Sequence, residues 1–324
     1  MYDIITIGSA TVDVFAKTRA SGREIVQHAK HRDVCLHLGS KILIDDLVTD
    51  TGGGGTNTAV SFSRLGFKTG WLGVLGNDAN GKQVFAALRN DHVDILGPTK
   101  DGPTGYSVIM VGLEHDRTIL AFKGVNDELL AKDIPDLKTN WLYCSSMLGK
   151  SWDTLVSVVK RARKAGIRIA FNPSMYVASQ GMHELAPVLQ GLDVLILNKE
   201  EAEALLHAPG SNISYLLRKL HPHVKLPVIT DGPRGAYATD GTSIFHLKPH
   251  RMAVVETTGA GDAFASGFVA GQMLGFGIPE SLRLGQVQAE SVLQAVGAKN
   301  NLATRPQAVA ELKRKPHHVE ESHL

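Results

Sequence analysis

Glu256-Thr-Thr-Gly-Ala-Gly-Asp-Ala-Phe264 holds the densest set of chemistry-bearing residues in this chain. Gly259, Ala260 and Gly261 form a run small enough for a bound phosphate to approach the backbone closely. The run opens a long helical stretch, and the first N–H groups of a helix lack intrahelical partners and carry the positive end of its dipole. Asp262 stands one residue past the last glycine. An aspartate gains little beside an anion unless it works on the anion's partner. An anion hole beside a general base is the arrangement that moves a phosphoryl group onto a hydroxyl. The plainer reading leaves Asp262 as a first-turn acid that suits the dipole.

Other segments offer companions to this pair. Thr51-Gly-Gly-Gly-Gly-Thr-Asn57 precedes a helix that begins near Ala59 and runs to about Leu65; four glycines cost conformational entropy and pack nothing, so something must approach that backbone. Asn57 can hydrogen-bond a polyol hydroxyl with either end of its amide, or else cap the helix. Asp13, in Gly8-Ser-Ala-Thr-Val-Asp13, lies just past the first strand, where a sheet-top site takes its residues. Asn198 and Glu201 have the spacing of a capping box; they also suit an outer shell around Mg²⁺, which keeps most of its water. Thr230-Asp-Gly-Pro-Arg-Gly235 reads as a hairpin turn that also offers a hydroxyl, free N–H groups and an arginine to a phosphate tail. Cys144-Ser-Ser-Met-Leu-Gly-Lys-Ser151 almost spells a P-loop, but Cys144 stands where the loop needs glycine, which leaves Lys150 as a surface residue at a helix start.

These residues need elements to position them. Strands are expected at 4–8, 71–75, 141–144, 167–171, 194–197 and 228–230, with a hairpin over 237–245. Helices are expected to about 65 and at 81–90, 151–165, 180–190, 199–207, 262–275 and 279–296, and the polar residues from Lys315 onward are expected to fray. Strands separated by helices imply an α/β fold: a doubly wound, mostly parallel sheet flanked by helices, with ligands beyond the carboxyl ends of the strands. Two β-like interruptions lack helices to cover them and include Val34–Leu38, Ile42–Ile44, Tyr106–Val111 and Arg117–Ala121. They are expected to form one small β-sheet lid from 10–51 and 98–124, the core being 1–9, 52–97 and 125–324.

Composition narrows the partners. With 43% hydrophobic and 20% charged residues and a net charge of +2, the chain is an ordinary soluble globular protein with no nucleic-acid-type basic block. No apolar run reaches membrane-spanning length, and Ile4–Ile7 follows Met1 without the flanks of a signal peptide, so a cytoplasmic protein is expected. Cys35 and Cys144 cannot form a disulfide framework. Among the fourteen histidines, His28, His31 and His37, or His221 and His223, tempt a metal reading, but none has Cys, Asp or Glu at ligand spacing.

Taken in order, these motifs resemble the PfkB carbohydrate kinase family, whose ribokinase-like fold also serves nucleoside kinases. Gly52–Ala59 is similar to the first family signature and Thr257–Phe264 to the second, more specific one. Asn198-x-x-Glu201 and Thr230-x-Gly-x-x-Gly235 match two internal motifs, and Arg117-Thr-Ile-Leu with Gly124-Val-Asn126 is similar to the segment leaving the lid. The resemblance covers roughly residues 3–303. It implies an ATP- and Mg²⁺-dependent kinase in which Asp262 deprotonates the acceptor hydroxyl and the Gly259, Ala260 and Gly261 amides hold charge on the γ-phosphate. It implies that Asp13, Gly53, Gly54 and Asn57 line the acceptor site. Asn198, Thr230, Gly232, Gly235 and Gln286 would serve the nucleotide, and Glu201 the metal. It also implies lid closure over the acceptor and a homodimer through the lids.

The chain departs from the pattern in places. Glu256 replaces an Asp that helps form a monovalent-cation site in relatives, which counts against K⁺ activation, and Gln286 replaces a shorter Asn. Gly54 replaces a lysine typical of ribokinases. A phosphorylated sugar would call on Lys41, Arg117 and Lys123; a nucleoside would stack on Tyr106, Phe122 or His37. An unphosphorylated sugar or nucleoside is the expected acceptor. Rival readings are a non-catalytic sugar sensor on the same fold, a P-loop NTPase working through Lys150, and a dehydrogenase, which lacks its glycine fingerprint after the first strand.

Overall fold

In the computed structural model residues 1–17, 25–28, 33–36, 38–111 and 117–324 are described. The apolar run at the start becomes β1 (Tyr2–Ile7), with Ile4, Ile5 and Ile7 fully buried, as a strand covered on both faces requires. There follow β2 (Thr11–Lys17), β3 (Ile25–His28), β4 (Asp33–Leu36) and β5 (Asp46–Gly52). Next come α1 (Gly54–Arg64), β6 (Thr69–Leu72), β7 (Leu75–Gly76), α2 (Ala79–Asn90), β8 (Asp94–Ile95) and β9 (Thr99–Lys100). After β10 (Gly105–Val111) and β11 (Arg117–Phe122), β/α alternation resumes with β12 (Thr139–Ser145), α3 (Lys150–Lys164), β13 (Arg168–Asn172), α4 (Met175–Ala178) and α5 (Gly181–Leu189). It continues through β14 (Leu192–Asn198), α6 (Lys199–Leu205), α7 (Ile213–Leu220), β15 (Val224–Thr230), β16 (Ala236–Thr239) and β17 (Ser243–Leu247). The chain closes with α8 (Ala260–Met273), α9 (Ile278–Val292), α10 (Arg305–Arg314) and β18 (Val319–His323).

The central sheet has ten strands in the order β18-β17-β16-β15-β14-β13-β12-β1-β6-β8. From β15 to β8 all neighbours are parallel, and β16 to β18 form an antiparallel margin. Each face buries its own apolar layer. One holds Leu155 and Val158 of α3, Leu185 of α5 and Leu216 of α7. The other holds Phe62 of α1, Phe264 and Phe268 of α8, and Leu282 of α9. Each such side chain contributes about 1.5–3 kcal/mol on burial, enough for both layers to clamp the sheet.

A second sheet of four strands runs β11-β10-β2-β5. Its root is stapled by Asn126, buried beneath the exit from β11. The Asn126 amide donates to Ala10 O at 2.8 Å, and its carbonyl accepts from Ala10 N at 2.9 Å. One side chain thus holds together the chain's entry into this sheet and its exit.

Several expectations need correcting. Ile42–Ile44 is no strand; the pairing falls later, on Asp46–Gly52, because β5 takes its register from β2 and not from its own weak strand propensity. The residues after Lys315 do not all fray: β18 pairs with β17, and Glu320 bonds Lys248 while Glu321 bonds Ser243, each at 2.7 Å. A charged strand is well suited to a sheet edge, where backbone pairing needs no apolar face. Helices α7 and α10 also form where no helix was expected, each starting from a polar residue, Asn212 and Thr304.

Candidate active site

Helices α1 and α8 pack side by side and lock through Ser61 and Ser266, whose hydroxyls are 2.7 Å apart. This contact brings their N-terminal turns together. Asn57, in the first turn of α1, donates its amide to Asp262 Oδ2 at 2.8 Å. Asn57 is therefore not the helix cap; that position is Gly53. The Asn57 carbonyl oxygen is buried and faces no donor among the described residues. Asp262 lies in the first turn of α8 behind Gly259, whose φ of +79° starts the helix in a left-handed turn. Burial pushes the Asp262 carboxyl above the ordinary carboxylate range, with the Asp13 charge adding to the rise and the Asn57 bond and Lys299 opposing it.

The glycine run makes close approaches within the chain. A side chain on Gly53, at φ +97°, would strike Ser9 O at 2.5 Å. A side chain on Gly52 would meet Asp13 Oδ2 at 1.8 Å, and one on Gly54 would meet Ser145 Oγ at 2.2 Å. The missing side chains let the start of α1 settle against the top of β1 and leave Asp13 its place.

Asp13 belongs to β2 and not to a loop, and it is buried, with Thr11 Oγ1 donating to it at 2.8 Å. Burial raises its carboxyl pKa, while the Thr11 and Ser107 hydroxyls and the Lys299 charge hold it down. Lys299 was missed by sequence reasoning. It is buried after α9, donates to Thr51 O, and counters both Asp13 and Asp50; burial lowers its ammonium to about 8. A lone lysine in a polar loop carries no sequence signal for that role.

Thr230, Gly232, Gly235 and Gln286 line one cleft of about 480 Å³ together with Ala260 and Gly261 of the anion-hole turn. Pro249, Met252, Val254, Phe264, Ala289 and Leu293 supply an apolar wall suited to a flat base. Gly235, at φ +101°, turns β15 into β16 where a Cβ would strike Leu247 O. Arg234 is tied to Asp231 through two bonds of 2.6 Å, so its guanidinium is already occupied. The Ala260 N–H reaches Thr257 O at 3.3 Å, whereas Gly261 is exposed at the cleft.

Asn198 and Glu201 are not among the residues lining that cleft, and they do form the capping box: Glu201 N–H bonds Asn198 Oδ1 at 2.8 Å, and Asn198 N–H bonds Glu201 Oε2 at 2.9 Å. Burial raises the Glu201 carboxyl to about 7, with Asp262 and Glu200 adding to the shift. The capping role and a field shared with Asp262 therefore coexist. Glu256 is buried, its Oε1 held by Thr258 N–H and hydroxyl at 2.7 and 2.6 Å, and its Oε2 has no partner among the described residues.

The near-P-loop is excluded. Ser151, which would need to reach a metal, is buried, donates to Asn126 O at 2.7 Å and accepts from Leu129 N–H at 2.8 Å. Phe122 and Lys41 are exposed, Tyr106 and Lys123 half-buried. His31, His37 and the side chains of His28 and Arg117 lie outside the described residues. Sequence reasoning also missed a cluster of His250, Glu290 and His317, because its members come from three distant stretches.

The family model described as pfkB family carbohydrate kinase matches residues 3–305. An uncharacterized sugar kinase of Archaeoglobus fulgidus is 27% identical over 75% of this chain and 98% of its own length. The crystal structure of adenosine kinase from Sinorhizobium meliloti superposes with a TM-score of 0.81 at 23% identity, over 96% of this chain and 99% of that one. Ribokinase of Arabidopsis thaliana complexed with ribose and ATP gives 0.77 at 23%, over 96% and 99%.

Proposed function

From the premise that the chain belongs to the pfkB family of carbohydrate kinases, and so is a sugar or nucleoside kinase, we propose that it moves the γ-phosphoryl group of ATP onto a hydroxyl of an unphosphorylated acceptor, with Asp262 as general base. The observation that carries this reading is the Asn57–Asp262 pair. The amide holds the carboxylate at 2.8 Å while its buried carbonyl waits for a donor. An acceptor with two neighbouring hydroxyls satisfies both: one gives its proton to Asp262, the other bonds Asn57 Oδ1. Asp13 supplies a third polar contact from the four-stranded sheet, which we read as the lid that excludes water.

The nucleotide is placed in the 480 Å³ cleft, its base on the apolar wall and its phosphates toward Gly261 and the α8 N-terminus. Mg²⁺ suits Glu201, a carboxylate whose pKa burial raises first and the nearby Asp262 charge raises further; bound there through water, the ion would neutralise charge on the phosphates. The orphaned Oε2 of Glu256 fits a monovalent cation, despite the longer side chain.

Of the three basic candidates for a phosphorylated acceptor, Lys41 is exposed, Lys123 is half-buried and the Arg117 side chain lies outside the described residues, so we take the acceptor as unphosphorylated on the Asn57–Asp262 pair alone. The test is ADP release with Mg²⁺-ATP across pentoses, hexoses, sugar phosphates and nucleosides, run in potassium and in tetramethylammonium salts. A responsive unphosphorylated acceptor supports the reading. Silence across the panel, with ligands still raising Tm, would move the protein to the sensor reading.

The ionisation of Glu201 gives a pH prediction. Its carboxyl gains a proton as pH falls through about 7, and a protonated acid holds Mg²⁺ and its waters poorly. The apparent Mg²⁺ requirement is therefore expected to rise about tenfold between pH 8 and pH 6, and Glu201→Gln to flatten that dependence. Equal pH profiles for both proteins would remove Glu201 from the metal site.

Both edges of the four-stranded sheet expose apolar side chains, Leu47 on β5 and Ile119, Leu120 and Phe122 on β11. We read this as a lid-to-lid homodimer. Light scattering at micromolar concentration should give twice the 34.8 kDa chain mass, and Leu120→Lys should halve it.

A further inference from the structure

Three side chains from separate elements meet where the nucleotide cleft backs onto a second cavity of about 650 Å³. His250 follows β17, His317 precedes β18, and their rings stack with centroids 3.8 Å apart. Each aims a nitrogen at Glu290 of α9: His250 Nδ1 stands 3.1 Å from Oε2, and His317 Nε2 stands 2.8 Å from Oε1. We propose that His250, Glu290 and His317 bind a divalent transition-metal ion of the Zn²⁺ class.

The three ligand atoms all lie within 4.8 Å of one another. Donors around a tetrahedral zinc ion with bonds of about 2.0–2.1 Å stand roughly 3.3 Å apart, so small ring movements admit the ion. The carboxylate is already oriented by donors other than the two imidazoles, one of them the His250 backbone N–H. Glu290 Oε1 accepts from His250 N–H at 2.9 Å and from the Gln286 amide at 3.2 Å. Oε1 also takes the His317 bond at 2.8 Å, which leaves Oε2 as the oxygen for an ion, and such outer bonds are what fix a ligating carboxylate.

His317 is buried and its Nδ1 has no partner among the described residues. In the bond to Glu290 Oε1 the His317 Nε2 carries the proton, and an ion would take its place once that proton moves to Nδ1. Two imidazoles with one carboxylate select Zn²⁺-like ions over Mg²⁺, which separates this site from the phosphate-side ion. The second cavity leaves room for water or an outside ligand at the fourth position. An ion here would tie the loop after β17, helix α9 and the segment before β18 into one wall of the nucleotide cleft.

The test is a Co²⁺ titration of purified, tag-free full-length protein in excess Mg²⁺, followed by visible absorption, with Zn²⁺ as competitor. Glu290→Gln and His250→Phe run alongside; the first keeps size and one acceptor oxygen, the second keeps a ring against His317. The expected result is one equivalent of Co²⁺ with the ligand-field bands of a four- or five-coordinate ion, displaced by Zn²⁺. Either variant that keeps the wild-type circular dichroism should bind at least about 10–100-fold more weakly, the loss that even an outer-shell change causes. Other histidines, His221 and His223 among them, contribute a background common to all three proteins. No such band in the wild type, or the same band in a folded variant, would overturn the site and leave a hydrogen-bonded bridge.

Discussion

Asp262→Asn is expected to lower kcat by about 10²–10⁴-fold while the protein stays folded and still binds nucleotide. The substitution keeps the shape of the side chain and removes its charge and its capacity to take a proton, leaving one oxygen to accept from Asn57. Its surroundings leave that capacity intact. Burial and the Asp13 charge raise the carboxyl pKa, which strengthens the base, while the Asn57 bond and Lys299 keep it from rising too far. The contacts that build the turn are independent of the carboxylate, since the Gly259 φ and the Ser61–Ser266 contact belong to neighbouring residues. Single-turnover ADP release at saturating ATP measures the effect. A loss below tenfold would mean that positioning and anion stabilisation do the chemistry without a base, as a loose phosphoryl-transfer transition state permits.

Asn57→Ala is expected to lower kcat/KM by about 10–100-fold, the equivalent of one hydrogen bond to a charged partner. Two contributions are lost together: the donor that holds Asp262 Oδ2 at 2.8 Å, and the buried carbonyl that waits for an acceptor hydroxyl. The double variant separates this from a structural effect. If Asn57 acts through Asp262, adding Asn57→Ala to Asp262→Asn should cost far less than it does alone. Independent, multiplying losses would place Asn57 on the acceptor only.

Much of the site was legible because its motifs are local. The Gly259–Asp262 turn, the Thr230–Gly235 turn and the Asn198–Glu201 box each lie within one short stretch, and backbone preference alone gives them their shapes. The alternation of buried strands and amphipathic helices likewise announced a doubly wound sheet. Where pairing came from a partner strand, local signal misled. Asp46–Gly52 becomes β5 through β2, and Val319–His323 becomes β18 through β17.

By itself, then, the sequence determined the α/β architecture, the kinase family and the turns that present Asp262 and the cleft glycines, since each depends on neighbours a few residues apart. Only the tertiary structure decided which groups touch. Asn57 and Asp262 are 205 residues apart and meet because α1 and α8 pack side by side. Lys299 reaches the root of β5, and His250, Glu290 and His317 gather from three elements. The glycine run lets Ser9, Asp13 and Ser145 come close, an approach visible only once the strands and α1 are set against one another. Side-chain chemistry is written residue by residue, but its partners are assigned by the packing of elements far apart in the chain.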